Sequence, residues 1–218
     1  MMIDMDEALR YLGASGANDA LRSRVRRTAE ELEARLAPRF IFREFPLALE
    51  AGGVSLPGAG LTLTGSLARR MLKTCHHAAL LVCTLGAEFE AMQRACQARD
   101  MAKAVILDAC GSAYVESGCA EAEKKLASLH PGAYFTDRFS PGYGDLPLAL
   151  QEGLLRATDA ARRLGVQMGE SCLLIPAKTV TAVIGIADEP QRARIRGCAY
   201  CALRENCALR EGGKRCDG

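Results

Sequence analysis

Arg138-Phe139-Ser140-Pro141-Gly142-Tyr143-Gly144-Asp145-Leu146-Pro147 is the stretch on which the reading of this chain turns. Each of its two prolines fixes φ and removes a backbone donor, and its two glycines admit backbone angles closed to other residues. Neither a helix nor a paired strand is expected to run through it. The segment is a turn-rich loop whose large polar groups are the guanidinium of Arg138 and the phenol of Tyr143. A backbone held that tightly, carrying those two groups, has the make-up of a ligand-holding element.

Working outward, the residues before the loop predict a long helix over Met101 to Leu129, broken or thinned near Gly111 and Gly118 and ended by His130-Pro131-Gly132. After the loop, a helix is expected over Leu148 to Leu164, closed by Gly165. Strands follow at Cys172 to Ile175 and Val180 to Ile186, joined through Pro176-Ala177-Lys178. Toward the N-terminus, Leu21, Val25, Leu32 and Leu36 recur at helical spacing, with Asn18 or Asp19 as cap and a face of arginines and glutamates left to solvent. Phe40 to Leu49, Leu61 to Thr64 and Ala78 to Cys83 read as strands, the last buried because its apolar run is unbroken. Ser66 to Thr74 and Gly86 to about Ala98 read as helices. Helices and short strands mix without the regular βαβ order of a doubly wound sheet, so the fold class is α+β with no internal repeat. The expected organisation is one domain over residues 1–190 and a cysteine-rich tail over 191–218.

At 218 residues, with 49% hydrophobic and 25% charged side chains, the chain can bury a substantial core. Its net charge of +2, from 28 basic and 26 acidic residues, supplies no overall field to attract nucleic acid. The opening Met-Met-Ile-Asp-Met-Asp-Glu is acidic where a signal peptide is basic, and no apolar run reaches the length of a membrane span. A cytoplasmic protein without a membrane partner is expected. In a reducing compartment six of the ten cysteines (Cys75, Cys83, Cys96, Cys110, Cys119, Cys172), scattered through apolar segments, are expected as buried core thiols. His76-His77 resembles a metal pair, but successive strand residues face opposite ways, which predicts a structural role.

Within the long helix Asp108, Ser112 and Glu116 fall at i, i+4 and i+8 on one face, among small and apolar neighbours. Two kinds of partner are open to such a stripe: backbone groups of the following loop, or a ligand. A carboxylate from this helix and Arg138 would together suit an amino-acid zwitterion, the guanidinium taking the carboxylate and the acid taking the ammonium. Glu116 or the ring of Tyr143 would favour a second positive charge, such as a sulfonium.

The Arg-x-x-Pro-Gly-Tyr core of the loop resembles the adenosylmethionine-binding loop in the activation domain of cobalamin-dependent methionine synthase. The likeness extends in order through Thr84-Leu85-Gly86, Asp108-Ala109-Cys110-Gly111-Ser112 with Glu116, the Arg138 loop, and Pro176-Ala177-Lys178-Thr179-Val180-Thr181-Ala182, and is similar to stand-alone relatives of that domain. It covers roughly residues 75 to 187. The resemblance implies mixed helices around a short-stranded, largely antiparallel sheet. It further implies binding of S-adenosylmethionine and reductive methylation of a corrinoid, cobalamin, carried by a partner methyltransferase such as core methionine synthase, with a reductant protein supplying an electron. By position it implies that Arg138 binds the ligand carboxylate and Glu116 its amino end. Ser140 and Gly142 would contact the ligand through backbone, with Asp108 and Ser112 near it, and Tyr143 would stand at the catalytic position facing both ligand and corrinoid. The family loop has a further proline after the tyrosine, where this chain has Gly144.

Cys198-x2-Cys201-x5-Cys207-x8-Cys216 is the second signal. Four thiolates at this spacing can close a tetrahedral site, which predicts zinc or an iron–sulfur cluster; free or redox-active thiols are the alternative. Arg192, Arg194, Arg196, Arg204, Arg210, Lys214 and Arg215 surround the motif and offset its negative charge. A rival function follows: a metal-cluster binding or electron-transfer module working through the basic tail.

Overall fold

The computed structural model describes residues 1–195. Its centre is a four-stranded antiparallel sheet in the order β1 (Arg39–Pro46), β5 (His77–Thr84), β9 (Thr179–Ala187), β6 (Tyr134–Phe135). β5 and β9 pair over their whole shared length, from His77 opposite Ile186 to Thr84 opposite Thr179. Both are covered on two faces, which is why their sequences read as continuous apolar runs instead of alternating ones.

One face presents Ala79, Leu81, Cys83, Ala182, Ile184 and Ile186 to a helical layer. That layer comprises α1 (Met5–Tyr11), α2 (Asp19–Glu33), α4 (Gly86–Gln97) and the 29-residue α5 (Met101–Leu129). The opposite face, with Leu80, Val82 and Val183, packs against α3 (Ser66–Leu72), α6 (Leu150–Thr158) and α7 (Ala160–Leu164). A small antiparallel sheet, β2 (Ala48–Glu50), β3 (Gly53–Leu56) and β4 (Leu61–Leu63), closes that second core. A two-stranded ribbon, β7 (Gln167–Met168) with β8 (Leu174–Ile175), lies beside α6.

Three expectations are corrected. First, α5 runs unbroken through Gly111 and Gly118, because these glycines serve packing. A Cβ on Gly111 would stand 2.3 Å from Phe89 Cζ, and one on Gly118 would stand 2.5 Å from Pro38 Cβ and 2.7 Å from Cys83 Sγ. Second, the helix expected over 148–164 is two, since Asp159 adopts the left-handed conformation (φ 56°) between them. Third, Cys96 and Cys172 are only half-buried, although Cys75, Cys83, Cys110 and Cys119 lie in the core as expected.

The predicted N-cap is in place, with Asn18 Oδ1 accepting from Leu21 N at 3.0 Å. His76 precedes β5 and so escapes strand alternation: its Nδ1 lies 2.8 Å from Nδ1 of His77, and its Nε2 is 3.3 Å from Asp188. No helix among the described residues is long and apolar enough to cross a membrane. Of the expected tail, Gln191 to Ile195 are described. Gln191 is buried, accepting from Thr74 Oγ1 at 3.0 Å, and Ile195 N donates to Asp137 at 3.0 Å. Cys198, Cys201, Cys207 and Cys216 lie outside the described residues.

Candidate functional site

The chain leaving β6 stays against β9, with Thr136 N donating to Gly185 O and Phe139 exchanging hydrogen bonds with Val183. Phe139 enters the core shared with α3 and α6. Its neighbour Arg138 instead meets α5, where Nη1 donates to Glu123 Oε1 at 2.9 Å and Nη2 pairs with Glu116 Oε2. The Arg138 side chain is 13% exposed, against 25% for Glu116 and 31% for Glu123. Burial disfavours the guanidinium charge, but Cys119, Glu116 and Glu123 together outweigh it and hold the group protonated. Cys119 is itself a neutral thiol, pushed up by its contact with buried Cys83 and by burial. The two carboxylates therefore carry the effect.

Arg138 thus stands between two carboxylates of α5, Glu116 and Glu123. Tyr11, at the end of α1, stands close enough for Glu116 and Glu7 to raise its phenol pKa, burial being the larger cause. Arg10 lies over the Tyr11 ring at 4.9 Å. Thus α1 borders the carboxylate side of the cluster.

One and two turns toward the N-terminus of α5, the same stripe meets a second cation. Lys178 Nζ donates to Asp108 Oδ2 at 2.9 Å and to Ser112 Oγ at 2.8 Å. Lys178 is set there because its segment is pinned to the opposite end of β5: Leu85 N donates to Lys178 O at 3.0 Å, and Ala177 N to Glu90 Oε1 at 2.7 Å. The stripe's charged side chains thus meet side chains from two distant segments. Loop backbone, one of the two partners open at the level of sequence, is not what these groups meet; Ser112 does bond a backbone group, but that of its own helix, Asp108 O at 3.2 Å.

The loop itself folds back by three backbone bonds, Tyr143 N to Ser140 O, Gly142 N to Leu146 O and Leu146 N to Tyr143 O, at 2.8–3.0 Å. Gly142 stands at φ +91°, a conformation only glycine adopts without strain. Asp145 fastens the loop to α3, accepting from Ser66 N at 2.6 Å and Leu67 N at 2.9 Å, and these bonds lower its pKa to about 2. Gly65 is needed at that junction, since a Cβ there would meet Asp145 O at 2.7 Å. Tyr143 is 51% exposed, and among the described residues its phenol has no hydrogen-bond partner.

Arg138 and Glu116 are therefore brought together, whereas Asp108 and Ser112 are engaged by Lys178 and Tyr143 stands out to solvent. Two residues absent from the sequence reading enter the site: Glu123 and, as a side chain, Lys178. Glu123 lies seven positions after Glu116, so extending the helical stripe by one heptad would have found it. Cavities of about 510 Å³, beside Lys73 and Arg192, and about 220 Å³, between α2, α4 and α5, include neither Arg138 nor Glu116.

The architecture defines an α+β class in which a charged helix stripe faces the edge of an antiparallel sheet. It is similar to the crystal structure of the MetH reactivation domain bound to AdoHcy, with a TM-score of 0.66 over 97% of this chain and 82% of that one. Sequence identity is 13%, so the likeness is one of fold. No family model and no curated protein sequence matches the chain.

Proposed function

We propose that this protein binds S-adenosylmethionine (AdoMet) and supports reductive methylation of a corrinoid carried by a partner methyltransferase, as a reactivation component. The observation that carries the reading is the meeting of Arg138 and Glu116, 22 residues apart in sequence, on a fold that in another protein is solved with AdoHcy. A guanidinium flanked by two carboxylates offers groups of both signs to AdoMet, whose zwitterion and sulfonium sum to one positive charge.

In this reading the Arg138 guanidinium takes the ligand carboxylate, and Glu116 takes the ammonium. The backbone of Ser140 and Gly142, rigid within its turns, borders the ligand, and exposed Tyr143 faces the approaching corrinoid. A corrinoid on the partner, once reduced by one electron from a reductant, would supply the nucleophile that takes the methyl group from the sulfonium, with AdoHcy as the leaving thioether. The chain's own part is to position and to exclude water, with no acid or base required.

Label transfer tests this. The protein would be incubated anaerobically with a corrinoid methyltransferase, a reductant and methyl-labelled AdoMet. Label reaching the corrinoid only when the protein is present is the expected result; transfer at the same rate without it contradicts the reading. For the tail, we propose zinc or an iron–sulfur cluster at Cys198, Cys201, Cys207 and Cys216, on spacing alone. Metal analysis with an anaerobic absorbance spectrum checks it, a colourless, metal-free protein being the contrary result.

A further inference from the structure

We infer that Glu123 is an internal competitor for the ligand carboxylate, occupying the guanidinium of Arg138 until ligand arrives and thereby setting the affinity of the site. The inference rests on the AdoMet reading above and adds to it a residue with a regulating role.

The guanidinium has one planar fork, and a carboxylate binds it best by taking two parallel N–H groups. Arg138 already divides its two terminal nitrogens between two acids, Nη1 to Glu123 at 2.9 Å and Nη2 to Glu116. A ligand carboxylate that needs the fork must displace one of them. Glu116 is wanted for the ligand ammonium, whereas Glu123 has no such use. It is also the more exposed acid, at 31% against 25%, so its pair with Arg138 is the better screened of the two. The rest of the cluster can stay fixed, because Arg138 is held by the bonds of Thr136 and Phe139 to β9.

A protein whose competent state is a fraction of the whole binds more weakly by that fraction. If Glu123 holds the guanidinium in about nine molecules of ten, removing its charge tightens binding about tenfold. Glu123→Gln keeps the shape and abolishes the competition.

Calorimetry would compare wild type and Glu123→Gln with three ligands: AdoMet, AdoHcy, and decarboxylated AdoMet. AdoHcy keeps the carboxylate but lacks the sulfonium charge, so loss of a negative charge cannot mask the effect. The expected result is about tenfold tighter AdoHcy binding by the variant, with no tightening for decarboxylated AdoMet, which has nothing to compete with Glu123. Unchanged or weaker AdoHcy binding overturns the inference, as does equal tightening of both. Thermal melts of both proteins establish that each is folded, and Glu123→Ala serves as a second variant. Should neither protein bind any of the three ligands, the AdoMet reading itself falls, an outcome distinct from failure of the competitor alone.

Discussion

At the scale of single residues, Arg138 carries more than any other side chain. Removing it takes from Glu116 and Glu123 the guanidinium they share, so a structural cost accompanies any functional one. Breaking a fully buried pair costs about 3–5 kcal/mol; with both acids partly wet, about 2–3 kcal/mol is expected for Arg138→Ala, read from urea unfolding. Adding Glu123→Gln should recover part of it, because one of the two carboxylates that lost the guanidinium is then neutral. Asp145 offers a pH test. Its folded pKa, about 2, lies below the ordinary value of 3.8, so its contribution is complete above about pH 4 and is lost as pH falls toward 2. Asp145→Asn should flatten the pH dependence of stability in that window, and an unaltered profile would show that the bonds to Ser66 and Leu67 contribute little.

Among the elements, α5 shows both what the sequence discloses and what it withholds. Its end was legible from the stop signal His130-Pro131-Gly132, and its start falls at Met101 as expected, where the structure shows Asp100 as the cap. Its continuity was not, because Gly111 and Gly118 weaken helix propensity while the reason for them, Phe89 on one side and Pro38 with Cys83 on the other, lies in distant segments. Gly118→Ala decides between the two effects. Helix propensity gains about 1 kcal/mol, but a Cβ at 2.5 Å from Pro38 and 2.7 Å from Cys83 forces repacking costing about 1–3 kcal/mol or more. Net destabilisation is expected on chemical denaturation; stabilisation would mean that the neighbours give way freely. The Asp108–Ser112–Glu116 stripe was visible from its helical period, yet its partners were not, since Lys178 and Arg138 reach it only after β9 and β6 are placed. The break at Asp159 likewise left no mark, an aspartate in the left-handed region being indistinguishable from a helical one by type.

For the molecule as a whole, the α+β class and the sheet's two central strands followed from apolar runs and from a resemblance in ordered motifs. The order of strands and the second small sheet did not, because strand pairing depends on contacts far apart in sequence. The two cores on either side of the sheet have a measurable signature in their thiols. Burial raises Cys75 to about 11, and burial with Glu33 raises Cys110 to about 12, so both stay protonated in the fold while the unfolded chain ionises near 9. Stability should hold below about pH 9 and decline from there toward pH 11–12. At pH 8 a thiol reagent should leave Cys75, Cys83, Cys110 and Cys119 unmodified in the native protein and reach them after unfolding, as peptide mapping would show; rapid native labelling would mean that the cores open.

Both cores hold a loop and a helix in register so that Arg138 meets Glu116, the pair proposed to hold one zwitterionic methyl donor. Titration calorimetry with AdoMet, on wild type and on folded Arg138→Ala, tests that most directly. Saturable one-to-one binding by the wild type, weakened at least about 30-fold in the variant, in line with about 2 kcal/mol for a lost charged hydrogen bond, is the predicted result. Equal affinity in the two proteins, or no binding by the wild type, would contradict it.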